Sequence, residues 1–214
     1  TVAKQPTYVA TGTLGNGLPT ISFDGDTSGQ AGNPIVAPNA DELVLSTSTS
    51  PATIFIVNST STSTGLAGII GQDLGDVGIR RLSTAAWQHA GNGGDYTNPG
   101  SMAVNGLAAI NPAAGLGVPT ILTAVRPSGA TFTATSIGDY FQVGTNAARS
   151  WGGQIGDVLA FSRSLGTLER SIIENALAAK YDVTLAAGDL YAGDTLGSGN
   201  YDFGVFGIGG MNGN

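Results

Sequence analysis

The side chains best suited to chemistry lie in stretches rich in Gly and Asn. They are Asp24 and Asp26 around Gly25, Asp73 and Asp76 in Gln72-Asp73-Leu74-Gly75-Asp76, Asp139, and Asp95, Tyr96 and Asn98 between Gly91 and Gly100. Carboxylate and carbonyl oxygens are hard ligands, and Ca2+ takes six to eight of them at about 2.3 to 2.6 Å. Asp24, Asp26, Asp73, Asp76 and Asp95 are therefore the candidate cation ligands. The competing role is local, since Asp and Asn also hold turns by bonding their own backbone, and no EF-hand spacing is present. Trp87, His89, Asp95, Tyr96 and Asn98 form the most polar and aromatic part of the middle of the chain. There an aromatic face offers apolar area to a sugar ring while polar neighbours orient hydroxyls. Tyr140 and Trp151 could act in the same way, although core packing explains Trp151 better.

Catalytic constellations do not assemble from this sequence. Retaining glycoside hydrolysis needs two carboxyl groups about 5 to 5.5 Å apart, supplied in β-sandwich enzymes by several acidic residues on one strand. The glutamates are Glu42, Glu169 and Glu174. Asp41 and Glu42 are adjacent and would point to opposite faces of a strand, while Glu169 and Glu174 fall on a helical stretch as solvated residues. His89 is the sole histidine, and no Gly-x-Ser-x-Gly elbow accompanies it. None of the Gly-rich stretches reads Gly-x4-Gly-Lys-Ser/Thr. The chain is read as a non-enzyme.

The elements that must position the loops are strands. Of 214 residues, 34 are Gly, 11% are charged and 41% are apolar, a composition of many turns between short strands. The net charge of −7 argues against a phosphate-binding surface and so against nucleic acid. With no cysteine, disulfides and thiolate metal sites are excluded. No apolar run reaches the roughly 20 residues that cross a bilayer as a helix, so membrane insertion is not expected.

Ala52–Val57 reads as a core strand dense in β-branched and aromatic residues. Gly65–Gly71 pairs with Gly78–Leu82, Glu42–Leu45 and Met102–Val104 are short strands, and Pro119–Arg126 and Ala130–Ser136 form a hairpin around Pro127-Ser128-Gly129. Thr47–Pro51 is a polar turn and Ser59–Thr64 a hairpin tip. From Ile155 to Phe161 apolar residues fall on both parities, which predicts a central strand covered on both faces. Thr167 is the expected N-cap of one helix, with Glu169 in its first turn, and Leu168, Ile172, Ala176 and Ala179 repeat on one face. Beyond Tyr181 the chain becomes rich in Gly and Asp until Tyr201–Ile208, which has strand composition.

Trp151–Tyr181 resembles the closing motif of laminin-G-like, concanavalin-A-like jelly rolls of bacterial surface proteins. There a Gly-x-Ile-x-Glu-Val strand precedes a Tyr-x-Arg-x-Leu turn and a helix ending in Leu-Ala-x-Lys-Tyr. Here Asp157 stands in place of Glu and Phe161 in place of Tyr. Pro6-Thr7-Tyr8-Val9 and Asn16–Gly25 are similar to the family's opening strands, Ala52–Val57 to its Phe-x-Val strand and Tyr140–Gly144 to the strand before its closing motif. The Trp-x-Asp-x-Ser-Gly segment that usually precedes the opening is missing before Gln5. The resemblance spans residues 5 to 25, 52 to 58 and 119 to 182.

It implies an all-β fold, a concanavalin-A-like jelly-roll β-sandwich of antiparallel strands with one short helix near its C-terminal end. The expected organisation is a sandwich over residues 1–185 and an extension over 186–214. The expected function is an extracellular, non-catalytic recognition or adhesion module that binds glycan or another surface protein, with Ca2+ as the expected cofactor. The alternative is a structural subunit of a surface filament, virion or other extracellular assembly, joined by self-assembly through sheet edges.

Overall fold

The computed structural model of the chain describes residues 5–25, 41–61, 66–72, 78–82, 86–90, 102–108, 116–126, 132–139, 141–142, 147–148 and 150–190. In chain order its strands are β1 (Thr7–Val9), β2 (Thr20–Asp24), β3 (Leu43–Thr49), β4 (Thr53–Thr60), β5 (Leu66–Gly71), β6 (Gly78–Leu82) and β7 (Ala86–Ala90). They continue with β8 (Met102–Val104), β9 (Leu107–Ala108), β10 (Thr120–Val125), β11 (Ala134–Ile137), β12 (Phe141–Gln142), β13 (Ala147–Ala148) and β14 (Gly152–Phe161). The helix α1 follows at Thr167–Tyr181. A seven-stranded sheet has the order β1-β2-β14-β4-β10-β8-β9 and a five-stranded sheet the order β3-β11-β5-β6-β7, with β12 and β13 forming a separate pair. The fold is all-β and antiparallel with one helix.

The layering follows from β4, whose eight residues are all buried. Side chains alternate across a strand. Ile54 and Ile56 thus join a core shared with Ile69 and Ile79 of the five-stranded sheet. Phe55 and Val57 join a second core with Leu165, Leu177, Ala178 and Tyr181 on the helix side. A strand apolar on both faces must lie in a middle layer. Its polar residues are satisfied in place: Asn58 Nδ2 donates to the carbonyls of Ile56 and Thr120, and Thr53 Oγ1 donates to the Arg163 carbonyl.

Next to β4 lies β14, between it and β2, as the mixed parity of Ile155–Phe161 requires. A β-bulge between Ile155 and Val158 explains that parity. An extra residue reverses the alternation, so Ile155 and Val158 both pack into the inter-sheet core while Leu159 and Phe161 pack on the helix side. The bulge contains Gly156 and Asp157. A Cβ on Gly156 would lie 2.8 Å from the Tyr181 hydroxyl oxygen and 2.9 Å from its ring, so the helix end closes directly onto bare backbone.

Several local expectations are corrected. Ser59 and Thr60 are buried members of β4, not a hairpin tip. Thr47–Thr49 belong to β3, which is bulged against β11. Pro119–Arg126 and Ala130–Ser136 do not pair: β10 lies between β4 and β8, whereas β11 lies between β3 and β5 in the other sheet. The helix N-cap is Gly166, whose N–H donates to Glu169 Oε2, with Thr167 the first helical residue.

The apolar stripe does not set the helix's packing face. Leu168 and Ile172 are 53% and 55% exposed and Ala176 is exposed, while Glu174, Asn175, Leu177 and Ala178 are buried. Residues 186–190 remain attached to the body through Ala186 N–H to the Asn105 carbonyl and Leu190 N–H to Asn175 Oδ1. Tyr201–Ile208 lies outside the described residues.

Candidate functional site

One end of the two sheets gathers the anchoring residues of the acidic stretches. Asp24 closes β2 opposite Gly152. The Trp151 N–H donates to the Gly138 carbonyl at 2.7 Å. Gly138 has φ +89°, and a Cβ there would fall 2.0 Å from Phe23 Cε1, so only glycine lets the ends of β11 and β2 meet. From β11 the rim continues across the second sheet: Ile137 pairs with Leu43, Ser136 with Gly71, Gly71 with Gly78 and Gly78 with Ala90. Residues 26–40 are anchored on this rim by Gly25 and Asp41, and residues 73–77 by Gln72 and Gly78. Residues 91–100 leave it after Ala90.

The stretches of sequence that adjoin this rim are acidic. The stretches 24–42, 72–78 and 90–100 carry Asp24, Asp26, Asp41, Glu42, Asp73, Asp76 and Asp95 and no Lys or Arg. Carboxylate-rich stretches attract cations and polar, electropositive groups. Among the described members, Asp24 is exposed and its N–H donates to Asp41 Oδ2 at 3.2 Å. Asp41 and Asp139 are 6% and 5% exposed. Ser136 Oγ donates to the Asp139 carbonyl.

The individual candidates are distributed as follows. Asp24 is on the rim. His89 lies in β7 in register with Ile79, one residue from the rim position Ala90. Asp26, Asp73, Asp76, Asp95, Tyr96 and Asn98 lie outside the described residues. Trp87 is 2% exposed and stacks on Trp151, with ring centroids 5.7 Å apart and planes inclined by 18°. It is therefore a core residue and not an open stacking platform. Its apolar area is spent joining the two sheets just inside the rim. Trp151 Nε1 is buried with no hydrogen-bond partner among the described residues.

Residue reading missed the roles of Asp41 and Arg81. The signal for Asp41 was its place immediately before a strand, where a carboxylate can meet the backbone of a neighbouring strand end. Arg81 is 4% exposed and registers opposite Trp87, and burial lowers its pKa from the ordinary arginine value. Alternation in Gly78–Leu82 puts Arg81 on the same face as Ile79, but composition favours solvent for a guanidinium.

Away from the rim, polar groups are engaged in holding the helix. Lys180 Nζ meets Asp157 Oδ2 at 2.7 Å, and desolvation followed by the Asp157 charge raises the Tyr181 pKa. The Arg163 guanidinium and then the Gly166 N–H hold the Glu169 carboxyl down at about 2. Glu174, expected to be solvated, is instead 6% exposed and accepts from Thr123 Oγ1 at 2.6 Å. Desolvation raises its pKa against the lowering effect of that bond. A cavity of about 230 Å³ at the opposite end is lined by Thr49, Ser50, Pro51, Ala160, Phe161 and Ser162. None of these is a titratable group able to move a proton near neutral pH.

Among the described residues, no three His, Cys, Asp or Glu side chains are grouped closely enough to hold a metal ion. No helix among them is long and apolar enough to cross a membrane. The chain matches no family model, no curated protein and no solved structure.

Proposed function

We propose that this chain is a non-catalytic extracellular recognition or adhesion module of concanavalin-A-like, laminin-G-like jelly-roll architecture. It binds glycan at the acidic end of its two sheets, with Ca2+ held by loop carboxylates. The observation that supports this reading is the convergence of Asp24, Asp41, Gln72, Gly78 and Ala90 on one rim, which brings the anchors of three separate acidic stretches together. Loops on a rigid scaffold are the usual carriers of recognition. An acidic set that faces a ligand needs a cation to offset its own repulsion. The stretch of sequence after Ala90 carries Tyr96 and Asn98, an aromatic face and an amide suited to a sugar ring and its hydroxyls.

A glycan array probed in calcium and in chelator tests the reading. Specific binding that chelator abolishes supports it. No binding in either condition, together with ordered multimers by electron microscopy, would favour a structural subunit of an extracellular assembly.

A further inference from the structure

The end of the sheets opposite the rim holds a cavity of different chemistry. It measures about 230 Å³ and lies between the turn that leads from β3 into β4 and the last residues of β14, with Thr49, Ser50, Pro51, Ala160, Phe161 and Ser162 around it. Its walls are fixed. The Ala52 N–H donates to the Phe161 carbonyl at 2.7 Å, while Thr53 Oγ1 donates to the Arg163 carbonyl at 3.0 Å and accepts from the Leu165 N–H at 2.9 Å. The half-buried Phe161 ring meets the fully buried Phe55 ring edge to face, with centroids 6.0 Å apart. A preformed cavity lined by apolar side chains and a few hydroxyls is the usual form of a small-molecule site.

A cation is attached to the cavity wall. Arg126 Nη1 donates to Ser50 Oγ at 2.8 Å and to the Phe132 carbonyl at 3.4 Å, and Ser50 Oγ itself donates to that carbonyl at 2.8 Å. The backbone of Arg126 is held as well: its N–H donates to the Ala52 carbonyl at 2.8 Å and its carbonyl accepts from Ser164 Oγ at 3.4 Å. These bonds engage one nitrogen of the half-buried guanidinium, and Nε and Nη2 make none among the described residues. The chain has 15 Asp and Glu against 8 Lys and Arg, yet among the described residues no carboxylate pairs with Arg126. The ion pairs there join Arg163 to Glu169 and Lys180 to Asp157. No residue lining the cavity is acidic. A guanidinium fork that is half out of water, fixed in place and without a counter-ion is complementary to an anion.

We propose that this cavity binds a small carboxylic acid built on a single ring, with the carboxylate on Arg126 and the ring against Phe161 and Pro51. Size sets the limit of one ring, because the cavity is smaller than the roughly 300–1,000 Å³ of sites for drug-sized ligands. Charge selects the acid. The parallel N–H groups of a guanidinium match the two oxygens of a carboxylate, whereas a phosphate carries more charge than one guanidinium offsets in a chain of net charge −7. The exposed Thr49 and Ser162 hydroxyls donate to and accept from substituents on the ring. A uronic acid and an aromatic acid share this chemistry. The site uses no cation and no residue of the rim, so it stands independently of the glycan site proposed above.

Sodium glucuronate, sodium benzoate, glucose and sodium acetate are titrated separately, in chelator, into the isotope-labelled full chain, and the amide resonances of Thr49, Ser50, Ala160, Phe161 and Ser162 are followed. The expected result is a saturable shift of these resonances with glucuronate or benzoate, the tighter of the two identifying the ring as sugar or aromatic, and binding about tenfold weaker for glucose and for acetate. Arg126→Gln should weaken the tighter acid about tenfold. Ser162→Leu, which narrows the mouth and leaves Arg126 in place, should weaken it as much and carries the test where Arg126→Gln lowers the melting temperature. No shift with either acid, glucose bound as tightly as the acid, or an affinity unchanged by both substitutions would overturn the proposal. Acetate bound as tightly as the ring acids would also overturn it, by leaving the ring no part in binding.

Discussion

The closing strand and helix and the acidic rim handle polar residues in opposite ways. Between Gly152 and Tyr181, Asp157 is matched by Lys180, Glu169 by Arg163, Glu174 by Thr123, and Gly156 makes room for the Tyr181 ring. Each such group is bound to another part of the body, so its chemistry is structural. The three stretches that adjoin the rim carry carboxylates and no Lys or Arg in their sequence, and it is there that a ligand is proposed to bind. The closing strand and helix thus hold the fold together, while the proposed recognition site lies where residue types are the only guide.

The comparison would break most visibly at its hinge, Trp151, whose side chain is fully buried and stacks on Trp87 while its backbone N–H donates to the Gly138 carbonyl. Trp151→Ala should cost about 3–5 kcal/mol by loss of buried area and creation of a cavity, read as a lower urea midpoint. A shift under 1 kcal/mol (~1 kcal/mol is the size of an ordinary substitution) would mean that the two sheets are not joined there. Gly156→Ala should cost about 2 kcal/mol, because the new methyl meets the Tyr181 ring, and Tyr181→Leu should relieve part of that loss in a double-mutant cycle.

Glu174→Gln sharpens the contrast from the other direction. Desolvation raises the folded-state pKa of Glu174, so the folded form holds its proton more tightly than the unfolded one. That contribution disfavours folding as pH rises through the window from the ordinary carboxylate pKa to the raised value. The Gln variant retains an oxygen to accept from Thr123, so it should melt higher than wild type at pH 7. The difference should vanish below the ordinary carboxylate pKa. For Glu169 the sign is reversed. Its folded-state pKa of about 2 makes its stabilising contribution present above the ordinary carboxylate pKa and lost as pH falls toward 2, so Glu169→Gln should matter only above that window. The smallest effect on stability is expected at the rim, where Asp24→Asn should move the melting free energy by no more than about 0.5 kcal/mol. It should nonetheless weaken the rise in melting temperature expected from Ca2+ at the proposed site, since a ligand that binds the folded state stabilises it.

The strands legible in the sequence were those with a strong local signal. The run Ala52–Val57 predicted a core strand and the mixed parity of Ile155–Phe161 a central strand covered on both faces, and β4 and β14 lie side by side in the interior of the seven-stranded sheet. Sheet membership was not legible: Pro119–Arg126 and Ala130–Ser136 read as a hairpin, yet β10 and β11, the strands they contain, belong to different sheets. The helix was legible as an element but not its orientation, because tertiary packing buried Glu174 and Asn175 and left Leu168 and Ile172 exposed. At the candidate site, the acidic and Gly-rich character of the stretches could be read directly. Their shared rim could not, since it depends on Gly138 meeting Phe23 and on long-range strand pairing. Trp87 stood among the candidate stacking residues because an aromatic beside a polar stretch looks the same in sequence whether it faces solvent or core, and it is buried.

The central claim is that the acidic rim binds a glycan through a cation. Its most direct test places the wild-type chain and an Asp24→Asn, Asp73→Asn, Asp95→Asn variant on the same glycan array, in calcium and in chelator, with both melting curves recorded. The account predicts specific binding by the wild type in calcium only, lost in the variant while its fold is retained. Wild-type binding that survives chelator and is matched by the variant would contradict it.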